Sequence, residues 1–153
     1  MANFKGHLTG GLIVASTNLI VFTYLNNIID GLITFATALI FSLYPDQDIA
    51  SKSQRYLTGI GIISILYLLL FTGEIPDVNF LPIIIILSLI IMPLLYKHRG
   101  FNHSISNIFM LSIMWLGLLS NFITIDYNSY IYIIALVSGY SIHLILDKHW
   151  SLM

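Results

Sequence analysis

From Leu8 to Ile29 the chain runs through 22 residues without a charged side chain. At about 1.5 Å per helical residue, that stretch is long enough to cross a hydrocarbon core of about 30 Å. Five more apolar runs follow: Gly31–Tyr44, Tyr56–Thr72, Val78–Tyr96, Ile105–Ile125 and Tyr130–Leu146, the last interrupted only by His143. Brief polar breaks separate them, and the period-2 alternation of a membrane β-barrel is absent. The pattern predicts an all-α, polytopic membrane helical bundle of about six transmembrane helices. It fills residues 1–153 as a single integral membrane domain.

Composition agrees. Only 8% of the residues are Asp, Glu, Lys or Arg, and the mean hydropathy is +0.91. A soluble domain carries about 25% charged residues, so thirteen could not cover a soluble surface. A binder of nucleic acid that depends on a basic face is excluded on the same ground. Lys5 provides a minimal basic start, but no small-residue cleavage site follows, so the first run reads as a retained span. Ala2 is not the glycine that myristoylation needs. Absence of cysteine removes disulfides, thiolate metal sites and a Cys nucleophile.

Six crossings place the N-terminus, the Pro45–Arg55 and Lys97–Ser104 connections and the C-terminus on one side. Every Lys and Arg in the chain lies there: Lys5, Lys52, Arg55, Lys97, Arg99 and Lys148. Asp30, Glu74, Asp77 and Asp126 mark the other side. The positive-inside rule then predicts an N-in, C-in protein, multi-pass in the bacterial inner (cytoplasmic) membrane.

The same side collects all five histidines and three aspartates. His7 opens the first helix. Asp46 and Asp48 close the second in Pro45-Asp46-Gln47-Asp48. His98 and His103 bracket the loop His98-Arg99-Gly100-Phe101-Asn102-His103-Ser104. His143 and Asp147 stand four apart, on one face of the last helix. Fourteen residues of helix 2 and thirteen of helix 6 both advance about 20 Å, which puts Asp46 and His143 at matching depth. Ionisable groups below the interface are costly unless paired, hydrated or bound to a cation. A divalent metal, zinc or manganese, as one or two ions, meets that need with His nitrogen and carboxylate oxygen. Asp48 is the candidate proton acceptor from a metal-activated water, and Arg99, beside Lys97, the candidate holder of an anionic group. Taken alone, each element has a plainer reading: a helix stop, an i,i+4 surface pair, a basic topology anchor. His149 beside Trp150 reads as interfacial. Pro82 should start helix 4 and Pro93 kink it, and Gly59, Gly61 and Gly117 suggest close helix contacts.

The order of these motifs resembles the YdjM-like family of bacterial inner-membrane proteins, described as metal-dependent hydrolases and in some cases as LexA-binding. The likeness spans nearly the whole chain. It implies His7, Asp46, Asp48, His98, His103, His143 and Asp147 as metal ligands or catalytic groups, and a role for Arg99 and Ser104 in shaping the loop. Asn102 and Gln47 depart from the usual pattern without removing a ligand. The expected activity is a membrane-embedded hydrolase acting on an amphiphilic or phosphate-bearing substrate within the lipid bilayer, with no direct nucleic-acid partner. An ion-coupled transporter and a non-catalytic metal-binding scaffold or regulator are the alternatives.

Overall fold

The computed structural model describes residues 4–48, 51–72, 80–95, 104–124 and 129–147. Six helices follow one another: α1 (Phe4–Leu25), α2 (Ile28–Leu43), α3 (Lys52–Thr72), α4 (Leu81–Leu95), α5 (Ile105–Leu119) and α6 (Tyr130–Asp147). A 3-10 turn, Tyr44–Asp48, extends α2. With it the second run becomes a 20-residue candidate span, Ile28–Gln47, longer than its apolar stretch alone suggested. Among the described residues, four helices are long and apolar enough to cross a membrane; α4 and α5, at 15 described residues each, are shorter.

Lipid-facing chemistry is visible on the surface. Ile20 is 70% exposed, Leu70 75% and Ile113 75%. Large apolar side chains left open on several helices find their solvent in hydrocarbon, where area burial no longer drives helix association. Close packing and internal hydrogen bonds must do it instead.

Helices α1, α2 and α6 form the tight half of the bundle. Ala15, Ala38 and Ala135, one from each, are fully buried against one another. Gly139 of α6 lies on the backbone of Ala38, Gly11 of α1 on the Ser42 side chain, and Gly31 of α2 on Thr23. A Cβ at any of these would collide, so the missing side chains set the interhelical distances. Asn18 of α1 donates to Ser138 of α6 at 3.1 Å and to its own Val14 carbonyl at 2.8 Å. Of the glycines read from sequence, Gly61 does pack tightly, against Ile90 and Ile86 of α4. Gly117 makes only an ordinary contact at 3.4 Å, and Gly59 faces open space, so the expected close contact there is corrected.

The α1–α2 hairpin turns at Asn26-Asn27. Asn27 is the N-cap of α2 and its side chain accepts from the Asp30 amide. Asp30 in turn accepts from Asn27 Nδ2 at 2.8 Å, from Asn26 Nδ2 at 3.2 Å and from Tyr132 Oη of α6 at 2.6 Å. This carboxylate therefore ties the start of α2 to the start of α6, which run parallel. The second half of the bundle, α3–α5, packs through Leu68, Ile86 and Leu118. It joins the first where Trp115 lies edge-on to Phe41 and donates to Thr37 Oγ1 at 3.1 Å. Pro82 sits in the first turn of α4 as expected, and Pro93 in its last turn.

Candidate metal centre

The ends of α1, α2 and α6 bring four predicted residues together. His7 lies in the first two turns of α1, Asp46 in the 3-10 turn, and His143 and Asp147 in the last two turns of α6. One ligand atom from each lies within 4.8 Å of all the others. His7 Nε2 is 3.2 Å from Asp147 Oδ1 and 3.9 Å from Asp46 Oδ2. His143 Nε2 is 3.5 Å from Asp46 Oδ1 and 3.5 Å from Asp147 Oδ2. Ligands about 2.1 Å from a tetrahedral ion stand roughly 3.4 Å apart. The donor spacing therefore fits a single divalent cation.

Charge supports the same fit. The Asp147 side chain is 1% exposed and that of Asp46 14%. A buried carboxylate next to a partly buried one calls for compensating positive charge. The two imidazole rings stack with centroids 3.9 Å apart and planes 13° from parallel. Two imidazolium ions in that stack would repel. A divalent cation held there would balance both carboxylates, with the two rings as its nitrogen ligands.

Second-sphere contacts orient the set. His143 Nδ1 is 2.9 Å from the Ser42 carbonyl of α2. A carbonyl only accepts, so Nδ1 carries a proton, and Nε2 is the nitrogen that faces the carboxylates. Metal-ligating histidines commonly have this arrangement. Ser51 Oγ donates to the Asp46 carbonyl at 2.9 Å and accepts the Gln54 amide at 3.0 Å, which joins the 3-10 turn to the start of α3. His7 Nδ1 is buried with no hydrogen-bond partner among the described residues.

The remaining predicted residues are distributed differently. Asp48 closes the 3-10 turn, but its side chain, with His98, Arg99 and His103, lies outside the described residues, as do Lys97 and His149. Ser104 is fully buried and is the N-cap of α5, where its hydroxyl accepts the Asn107 amide at 3.3 Å. Its carbonyl accepts from Tyr140 Oη at 3.4 Å, and Asn107 Nδ2 donates to the same Oη at 3.3 Å. Tyr140 stands one turn before His143, so the end of the Lys97–Ser104 connection is fastened to the helix that carries half of the cluster.

Sequence reading missed Gly11, Ser42 and Ser51, whereas Gly139 opens the Gly-x-x-x-His-x-x-x-Asp pattern of the last helix without its contact with Ala38 being foreseen. Gly139 and Gly11 lie one turn from His143 and His7, and spacing by one turn was the available signal. The part played by the Ser42 carbonyl carries no side-chain signature at all.

Comparison with curated proteins and with solved structures gave no match. The family model described as YdjM inner membrane protein matches residues 1–152. With its apolar helices and its His/Asp cluster at one end of the bundle, the chain belongs to the YdjM inner membrane protein family.

Proposed function

We propose that this protein is a membrane-embedded, metal-dependent hydrolase whose centre faces the cytoplasm. The observation that carries the reading is the convergence of His7, Asp46, His143 and Asp147 within 4.8 Å. Zinc or manganese suits the two nitrogen and two oxygen donors. A bound ion would supply Lewis acidity and a more acidic water. His98 and His103 add ligands for a second ion. Arg99 holds the anionic group of an amphiphilic or phosphoester substrate. Asp48 takes the proton as water oxygen bonds to phosphorus and the ester oxygen leaves. The one-sided placement of all basic residues supports termini on the cytoplasmic side.

A second reading is favoured by the completeness of the set. Four protein ligands can close a structural site, whereas a catalytic one keeps an open position. Asp46, with its partly exposed side chain, is where the centre meets its surroundings.

The test is metal analysis of the detergent-purified protein, followed by hydrolysis assays on phospholipids and simple phosphoesters with added zinc or manganese. We expect at least one transition-metal ion per chain, lost in His143→Ala and in Asp147→Asn. A metal-free protein, or metal content indifferent to both substitutions, would overturn the reading. Full loading with a coordination shell lacking water, and no hydrolysis, would favour the scaffold.

A further inference from the structure

The turn that carries Asp46 has two faces. One presents Asp46 to His7 and His143. The other closes a cavity of about 150 Å³ between α2 and the α3–α5 half of the bundle. Tyr44 and Gln47, on either side of Asp46, line that cavity and are themselves only 3% and 2% exposed. The preceding residues divide in the same way: Phe41 faces the cavity, whereas the Ser42 carbonyl holds His143. A single turn of backbone therefore separates the cavity from the metal centre.

The chemistry of the lining limits what can enter. It contains no charged residue, and apart from Tyr44, Gln47, Ser64 and Trp115 its lining is aliphatic, phenyl or glycine. Along α3 the lining extends from Leu57 to Ser64, about 10 Å of helix. An apolar cavity of this kind does not hold stable water. An ion, a sugar or a phosphate would lose its hydration there without a compensating partner. A narrow apolar slot with one amide at the end next to a carboxylate ligand matches a hydrocarbon chain with its polar junction at Gln47.

We infer that this cavity is the chain-binding slot of the substrate, and takes the alkyl chain of a membrane amphiphile whose polar linkage lies across the Tyr44–Asp48 turn. The inference rests on the hydrolase reading for the identity of the amphiphile as substrate. It makes Ser64 and Leu89 residues that set the preferred chain length, since both line the slot and neither belongs to the metal centre.

The test uses the full-length protein reconstituted in phosphatidylcholine vesicles containing a fatty acid with a photoactivatable diazirine in its chain. Labelled residues are mapped by mass spectrometry. In the wild-type protein we expect labels on Leu57, Ile86 and Leu118, which are buried and line the slot, as well as on lipid-facing Leu70 and Ile113. Ser64→Leu or Leu89→Phe, each filling the slot, should remove most of the slot labels by excluding the chain sterically. Labels on Leu70 and Ile113 should remain. Labels confined to the lipid-facing residues in the wild type, or slot labels unaffected by both substitutions, would overturn the inference. Metal content measured on the same samples separates the two readings. A labelled slot in a metal-free protein refutes the hydrolase and leaves the slot, whereas a loaded protein with an unlabelled slot refutes the slot alone.

Discussion

Gly139 offers a direct test of how the candidate metal centre is held. A Cβ on Gly139 would meet the carbonyl carbon and Cα of Ala38 at 2.8 Å, along with the Ala38 carbonyl oxygen. All three are backbone atoms, so no flexible side chain can move aside. Bringing the two carbon contacts alone to 3.4 Å requires α6 to retreat from α2 by roughly 0.6 Å, and the nearer carbonyl oxygen requires more. Metal sites tolerate only about 0.2 Å in their bond lengths. Asp46 stands at the end of α2, and His143 and Asp147 on α6, so the displacement falls between the ligands. For Gly139→Ala we expect about 1–3 kcal/mol of destabilisation from overpacking. We also expect metal affinity to fall about 10–100-fold, as when a second-sphere contact is lost. Equilibrium denaturation in detergent reads the first quantity and competition with a chromophoric chelator the second. Gly59→Ala is the control: nothing lies within 4 Å of that Cβ. It should be neutral or stabilising by up to about 1 kcal/mol from helix propensity. If Gly139→Ala matched Gly59→Ala in both measurements, the close α2–α6 approach would not be what positions the ligands.

Acidification should weaken metal binding, because protons compete with the ion for its histidine and carboxylate ligands, and chelator competition across a pH series measures the loss. Tyr132→Phe removes the 2.6 Å bond to Asp30. It should cost about 1–2 kcal/mol in denaturation, at the low end for a charged acceptor because Asp30 is partly exposed, while metal affinity stays at the wild-type value.

Much of the fold could be read from where the few charges and the long apolar runs lie. Helix α6 falls close to its predicted limits, whereas α3 begins at Lys52, one turn before the predicted Tyr56, and Ile28 and Ile29 belong to α2 and not to the first span. The expected equal depth of Asp46 and His143 appears as a 3.5 Å separation. His7 and Asp147 join them because topology alone brings the start of α1 and the end of α6 to one level. Lateral neighbours were much less legible. In hydrocarbon both the buried and the exposed faces of a helix are apolar, so periodicity does not identify which face meets which partner. Gly139 and Gly59 look alike in sequence, yet one touches backbone and the other nothing. The Asp30–Tyr132 contact was hidden for a related reason: neither residue sits in a recognisable motif, and their pairing depends on α2 and α6 being parallel neighbours.

That parallel pairing has a consequence for how the protein is made. The two ties between α2 and α6, at Asp30–Tyr132 and at Ser42–His143, join positions 102 and 101 residues apart. Two of the four candidate donors, His143 and Asp147, are on α6, more than a hundred residues after His7 and close to a hundred after Asp46. While only α1 and α2 are in the bilayer, His7 and Asp46 lack their partners from α6, so the four-donor cluster cannot form until α6 has packed against them. A chain truncated before α6 retains only two of the four candidate donors.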